Sequence, residues 1–248
     1  MIPLKSDSDL LMLRQAGRHL AAVMRRLEGF IRPGITTARI DSYAQELMRK
    51  KGLTPAFKGY RGYPAATCVS VNEEIVHGIP SGRLLVEGDI VSVDAGINFR
   101  GYYADAAFTV GIGRIGERAR RLIETARQAL SDGIMQARAG NFLGDISSAI
   151  QSRTEKSGFS VVRQFVGHGI GKELHEEPEI PNFGPARSGP ELKNGMVLAI
   201  EPMINLGVWE SFILDNGWTA VTKDGEPSAH FEHTVAVTER GPEILTYA

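Results

Sequence analysis

An α+β fold of two similar halves, each with two helices followed by antiparallel strands on a shared sheet, is predicted by three observations. Apolar residues recur at helical spacing in four separate runs and alternate at strand spacing between and after them. The chain also matches itself. With an offset of 106, Arg32–Gly52 meets Arg138–Gly158 with 7 identities in 21 positions, among them Gly34/Gly140, Ile40/Ile146, Gln45/Gln151 and Gly52/Gly158. Finally, no Pro- or Ser-rich linker separates the halves, about 1–111 and 112–248, so one domain over 1–248 is expected, with a cleft between the halves as its natural site.

Each element has its own local signals. Ser6 or Ser8 can cap the first helix, Asp7 and Asp9 suit its positive end, and Leu10, Leu13, Gly17, Leu20, Met24 and Leu27 recur on one face. Arg32-Pro33-Gly34 breaks that helix, and Thr36 or Thr37 can cap a second one ending at Lys50-Lys51-Gly52. Apolar, β-branched sequence from Ala66 to Val110 reads as strands. Within it Val91–Gly96 and Tyr103–Val110 alternate, joined by a hairpin turn at Asn98-Phe99-Arg100-Gly101. Glu117–Ala139 reads as the third helix, with Leu122, Ile123, Ala126, Leu130 and Ile134 on one side, and Asp145–Lys156 as the fourth. Strand-rich sequence then runs to the C-terminus.

Composition narrows the class. The 248 residues carry 28 Lys+Arg against 29 Asp+Glu, a net charge of −1, so no excess charge points to nucleic acid or an acidic lipid surface. The longest run without a charged residue, Gly62–Asn72, is too short to span a bilayer, and the N-terminus is polar where a secretory peptide is apolar. Cys68 is the single cysteine, which excludes an internal disulfide and a thiolate-caged zinc. A soluble, cytoplasmic globular protein with no membrane partner is expected, monomeric by its near-neutral charge balance. The basic clusters Arg49-Lys50-Lys51 and Arg118/Arg120/Arg121 read as solvated helix faces.

The informative residues are acidic. A turn centred on Phe99-Arg100 pairs residues whose numbers add to 199, which sets Asp94 directly opposite Asp105, with Cβ atoms about 4.5–5.5 Å apart. Two carboxylates so placed repel, and call for a positive charge between them or a proton on one. Three further strings each set a polar group against an apolar strand: His168 in Phe165–Gly171, Glu201 in Val197–Met203 and Glu232 in Phe231–Val237. Singly, each is ordinary: an edge-exposed acid or a hydrogen-bonded histidine. Jointly they point to a cation site. Four carboxylates are balanced by two divalent ions, and neutral His168 adds no charge. Oxygen-rich ligation with one imidazole suits manganese, iron(II) or cobalt(II), with zinc and nickel as further options. Two ions about 3.5–4 Å apart can share a hydroxide and lower its pKa from about 15.7 towards about 7, giving a nucleophile at neutral pH. His175 is followed by Glu176-Glu177-Pro178-Glu179, so the His-Glu-x-x-His zinc signature is absent, as is a Gly-rich phosphate loop. His19 reads as surface or packing, and His233 falls on the opposite strand face from Glu232. His230 shares the parity of Glu232 and is read as structural or at the rim.

Six strings occur in order: Asn72–Pro80, the Asp94/Asp105 hairpin, Gly167–Gly171, Leu174–Pro178, Ile200–Met203 and Glu232–Thr234. On these the chain resembles the type I methionine aminopeptidases over nearly its whole length. The resemblance implies the pita-bread fold, a single catalytic metallopeptidase domain, and hydrolytic removal of the N-terminal methionine from nascent proteins and peptides, with a small second residue preferred. It makes Asp94, Asp105, His168, Glu201 and Glu232 the ligands of two divalent ions. Asp105 and Glu232 would bridge, Asp94 would complete one shell, and His168 with Glu201 the other. Glu201 would also act as general base and then acid, and His77 and His175 as substrate-facing catalytic histidines. Tyr60, Tyr63, Cys68, Leu174 and Trp218 match the methionine pocket, with Phe57 at its entrance.

Two departures stand out. Leu174 occupies a position where an aromatic is common, and Ala106 follows Asp105 where a hydroxyl residue is common. Only 31 residues separate Glu201 from Glu232, too few for the type II helical insertion, and a helix starting almost at Met1 implies no eukaryotic type I extension. A monomer in transient contact with the ribosome is the family expectation. Two other readings share these residues. One is a proline-specific aminopeptidase or dipeptidase, which usually carries a further N-terminal domain; the other is a non-catalytic binding relative, which typically lacks some of the ligands.

Overall fold

The computed structural model describes residues 2–247. Helix α1 (Asp7–Glu28) starts at Ser6, whose Oγ accepts from the Asp9 N–H at 3.2 Å while the Asp9 carboxylate accepts from the Ser6 N–H at 3.0 Å. Helix α2 (Thr37–Lys50) is capped by Thr36, whose Oγ1 accepts from the Arg39 N–H at 3.3 Å. Strands β1 (Thr54–Pro55), β2 (Cys68–Val71), β3 (Glu74–Val76), β4 (Ile90–Phe99) and β5 (Tyr102–Gly111) follow.

Helix α3 (Glu117–Gln136) ends short of the expected Ala139, because Ala137 leaves helical geometry at φ −74°, ψ 60°. Helix α4 (Leu143–Lys156) begins two residues before the expected Asp145, whose carboxylate instead reaches back to the Phe142 N–H at 2.8 Å. The ends of α2 and α4 are offset by 106 residues, the spacing of the internal match. The chain continues through β6 (Ser160–Val161), β7 (Gly167–Gly169), β8 (Glu176–Ile180), β9 (Val197–Ile200) and β10 (Met203–Asn205). Last come β11 (Ser211–Ile213), β12 (Ala220–Thr222), β13 (Ser228–His230), β14 (Glu232–Thr238) and β15 (Gly241–Ile244).

The principal sheet has nine strands in the order β1-β4-β5-β14-β9-β7-β8, with β2 also on β4 and β15 on β14. Strands from both halves of the chain join where β5 meets β14, through Ala107 opposite Glu232 and Ala106 opposite His233. All four helices lie on one side of this sheet. Leu20, Val23, Met24 and Leu27 of α1 cluster with Val91, Val93, Ala95 and Ile97 of β4. In the same way Leu122, Ala126 and Ile146 of α3 and α4 cluster with Leu198, Ile200, Val235 and Val237. Burying these apolar stripes leaves the residues of the other parity facing away from the helices.

The β4–β5 hairpin departs from the expected register by two residues. Asp94 pairs with Ala107 and Asp105 with Gly96, so the paired numbers add to 201 and the aspartates are diagonal neighbours rather than directly opposed. The loop residues are Arg100 and Gly101, at φ +54° and +86°. A two-residue type I′ turn needs positive φ at both positions, and glycine takes the second without strain, so the turn sits one residue later than Phe99-Arg100. Because the shift is even, both aspartates keep one face.

Gly17 shows how tightly α1 seats against the segment that follows β15: a Cβ there would lie 2.2 Å from the Leu245 carbonyl oxygen. Alanine ordinarily favours a helix over glycine, but Gly17→Ala is expected to lower stability by about 1–3 kcal/mol, because a backbone contact must give way. Chemical denaturation of the two proteins measures it.

Candidate active site

Register alone brings the five candidate ligands to one face. Asp94 pairs with Ala107, Ala107 with Glu232, and Thr234, two residues beyond Glu232, pairs with Ala199 of β9. Ala199 in turn pairs with His168 of β7. Paired residues share a face, as do residues two apart, so Asp94, Asp105, Glu232, Glu201 and His168 all project from the side opposite the helices. A slip of one residue in any of these pairings would send a ligand into the helix-covered core.

The side chains converge as the register requires. Ligand atoms of Asp105, His168 and Glu232 all lie within 4.8 Å of one another, and all three residues are buried. Glu201 Oε1 lies 3.6 Å from His168 Nε2. Asp94 lines the same cavity, and its carboxyl is close enough to Asp105 and Glu201 for their charges to act on it. Desolvation pushes the carboxyls of Asp94, Glu201 and Glu232 well above their ordinary range, and the neighbouring carboxylates add to it. Burial likewise raises Asp105 to about 7, against the hydrogen bonds it accepts. Burial lowers His168 to about 4. Its Nδ1 lies 2.9 Å from the Gly169 carbonyl, which only accepts, so Nδ1 carries the hydrogen and Nε2 presents a lone pair to the acidic cluster.

This donor set fits divalent cations. Asp94 Oδ1 and Glu232 Oε1 are buried with no hydrogen-bond partner among the described residues, and a neutral imidazole lone pair faces them. Without a countercharge these oxygens would have to hold protons or repel one another; a bound cation satisfies them together. The glycines around His168 make the geometry attainable. A Cβ on Gly167 would stand 2.4 Å from the Ala199 carbonyl oxygen, and one on Gly169 2.1 Å from the Glu177 carbonyl oxygen, so only glycine lets β7 approach β9 and β8. Thr234 of β14 holds the backbone of Asp105 on β5: its Oγ1 accepts from the Asp105 N–H at 2.9 Å and donates to the Asp105 carbonyl at 2.8 Å. The Asp105 carboxylate also accepts from the Ala106 N–H at 3.0 Å. Main chain and Thr234 thus support Asp105 without a hydroxyl at position 106.

The acidic cluster forms part of the wall of a cavity of about 290 Å³ whose lining includes all thirteen candidate residues. Phe57, Tyr60, Tyr63, Cys68, Leu174 and Trp218 contribute its apolar part. Tyr63 meets Trp218 edge to face, centroids 5.1 Å apart, and its hydroxyl is anchored on the Gly78 carbonyl at 2.9 Å. Cys68 is buried, and desolvation with the nearby Asp94 charge raises its thiol well above the ordinary value, so it stays uncharged. His175 Nδ1 bonds the Tyr60 hydroxyl at 2.9 Å, its ring 4.2 Å from that of His168. Desolvation lowers His77, and desolvation, with neighbouring His168, Arg61 and His77 disfavouring a further positive charge, lowers His175 to about 3, so both are neutral at pH 7. His77 sits at φ +60°, an uncommon conformation for a non-glycine residue.

Several contributors are not apparent from sequence pattern. Arg61, Gln164, Phe165, Val166, Val76 and Met203 also line the cavity; Phe165 packs its ring 5.6 Å from His77. Thr234 closes the Glu232–Thr234 string, and strand parity sets it on the face of Glu232. His230 is buried beside Glu201 rather than at the rim, whereas His233 turns away and meets Thr246 Oγ1 at 2.9 Å. His19 of α1 packs against Phe99 of β4.

Lys5 fixes the loop that carries Leu174 and His175. Its ammonium is paired with Glu176, both side chains nearly buried, and Glu176 Oε1 also accepts from the Lys172 N–H at 2.7 Å. Lys5→Met would leave that carboxylate without its cation. It is expected to cost about 3 kcal/mol, lowering the melting temperature by roughly 6–12 °C, as calorimetry would show.

Comparison with known proteins bears directly on this site. The sequence profile of metallopeptidase family M24 matches residues 12–239. A methionine aminopeptidase of Clostridium perfringens is 50% identical over 246 residues, spanning 99% of both chains. The crystal structure of methionine aminopeptidase from Thermotoga maritima superposes with a TM-score of 0.98 at 46% identity, covering 100% of each chain. A prolidase from Pyrococcus furiosus shares the fold at a TM-score of 0.81, but at 23% identity and with only 65% of its length covered. Antiparallel strands curled under four helices, an acidic face fit for divalent cations, and full-length similarity of this degree make the chain a member of metallopeptidase family M24, among its methionine aminopeptidases.

Proposed function

We propose that this protein hydrolyses the first peptide bond of polypeptides that begin with methionine, using two divalent ions held by Asp94, Asp105, His168, Glu201 and Glu232. The observation that carries the reading is the meeting of five metal-type donors with an apolar, aromatic wall in one cavity. Bound there, divalent cations supply Lewis-acid polarisation of the scissile carbonyl and acidify water.

The chain's own residues do the rest. Glu201 takes the proton of the attacking water and returns it to the departing amine. Neutral His77 and His175 hydrogen-bond the scissile peptide and the oxygen that becomes negative as the carbonyl turns tetrahedral. Tyr60, Tyr63, Cys68, Leu174 and Trp218 enclose the methionine side chain, with Phe57 at the entrance; each sulfur–aromatic contact contributes roughly 0.3–1.5 kcal/mol. Leu174 supplies aliphatic rather than ring surface, which still excludes water from a thioether. A small second residue is preferred.

Methionine release from a Met-Gly peptide decides the matter, with Met-Pro and Ala-Pro peptides as comparison substrates. Release is expected to stop in chelator and to return with manganese, iron(II) or cobalt(II). Full activity of metal-free protein would defeat the metal-dependent mechanism, and preferential cleavage of the proline peptides would favour the proline-specific reading. We place the activity on nascent chains in the cytoplasm, carried out by a monomer in transient contact with the ribosome. The near-neutral charge balance supports the monomer, and sedimentation with and without ribosomes tests both.

A further inference from the structure

His230 ends β13, and its residue is only 1% exposed. Its backbone is clamped by Thr109 of β5: the His230 N–H donates to Thr109 Oγ1 at 2.9 Å, and that hydroxyl donates to the His230 carbonyl at 2.8 Å. The imidazole Nε2 is buried without a hydrogen-bond partner among the described residues, and Glu201 Oε2 lies 3.4 Å from it. The other carboxylate oxygen, Oε1, lies 3.6 Å from His168 Nε2. Glu201 is therefore bracketed by two histidines, one on each oxygen.

The two histidines are chemically different. His168 commits its Nδ1 hydrogen to the Gly169 carbonyl, so its Nε2 cannot donate to Glu201. His230 Nε2 has no such constraint. Beside an ionised carboxylate, the form Glu201 takes as a cation ligand, a buried imidazole nitrogen is satisfied only when it carries a hydrogen, since two lone pairs facing each other would repel. At 3.4 Å the pair stands just beyond a formed hydrogen bond, so the bond requires the two groups to close by a few tenths of an ångström.

We propose that His230 is a positioning residue that donates Nε2–H to Glu201 Oε2, fixing the carboxylate so that Oε1 faces the reaction. The inference rests on the role given above to Glu201. It assigns His230 neither contact with substrate nor a bond to a cation. A carboxylate held on one oxygen meets a cation and a water proton in one orientation, whereas a free one must lose rotational freedom at each encounter.

The test compares His230→Leu, which removes the donor, with His230→Gln, which keeps an N–H. In the purified full-length protein, His230→Leu is expected to lower kcat about 10–100-fold and weaken manganese binding, read by calorimetry, by a similar factor, while KM changes less than about twofold. His230→Gln should recover both to within about fivefold of wild type. Thermal melts establish that the variants fold; should the leucine variant not fold, His230→Met takes its place.

In a Glu201→Ala background, His230→Leu should leave manganese affinity unchanged. An undiminished loss there, or no recovery with glutamine, would overturn the proposal. A Glu201→Gln enzyme retaining turnover within tenfold of wild type would instead strike the role of Glu201, which separates the two failures.

Discussion

Exchanging Glu201 for glutamine is expected to lower kcat/KM for methionine release by about 10³-fold or more, roughly 4 kcal/mol of transition-state stabilisation. Glutamine preserves shape and one carbonyl oxygen but removes the negative charge and the basic site. Both proposed roles of Glu201, cation ligand and proton carrier, are lost together. The same change should spare the fold. Burial already pushes the Glu201 carboxyl upwards, with Asp105 adding to it, so a neutral amide relieves repulsion rather than creating it. The melting temperature without metal is therefore expected to equal or exceed that of the parent, while the rise on adding manganese shrinks. Stopped turnover with an intact fold separates a chemical role from a structural one; activity within tenfold of the parent would remove Glu201 from both.

Gly169→Ala is the second large effect expected, and it acts through backbone rather than chemistry. The added methyl would stand 2.1 Å from the Glu177 carbonyl oxygen and 2.6 Å from its carbon. Both are main-chain atoms, so no flexible side chain can swing aside and β7 must move from β8. Gly169 also supplies the carbonyl that orients the His168 ring. A loss of about 2–4 kcal/mol in stability is expected, with metal affinity weakened about 10–100-fold. Gly82→Ala, at a position with open space around it, is the control and should change neither. Denaturation and metal titration of the two variants, run in parallel, read both quantities.

Much of this site was legible in the chain because its signals are local. Ser6 or Ser8, and Thr36 or Thr37, mark the first two helices through side-chain oxygens that need only the next three residues to act, and Ser6 and Thr36 are the caps. Asp94, Asp105, Glu201 and Glu232 stood out as charges bordering apolar, β-branched runs, and a strand's period of two is a property of every pleated backbone. Two local signals point to positions that the structure shifts. The hairpin moved by two residues because φ at Arg100 and Gly101, not the midpoint of a loop-like string, decides a type I′ turn. Helix α4 started early because Asp145 bonds back to Phe142 instead of opening the helix.

Other features have no local signature. The glycines beside His168 are conspicuous, but what they admit, the carbonyls of Ala199 and Glu177, lies on other strands. Thr234 reaches Asp105 across 129 residues of chain. His230 carried the right parity, yet parity cannot distinguish a wall position from one pressed against Glu201.

The sequence by itself determined which side chains are available, where helices begin, and that each acid alternates with apolar neighbours, because torsional preference and side-chain period act over a few residues. Only the tertiary structure decided that five donors share one face of one sheet, through pairings such as Ala107 with Glu232 and His168 with Ala199. Contacts between such distant segments depend on the helices that bury one face and on the turns that set register. The free energy of that arrangement belongs to the whole fold and to no single stretch of it.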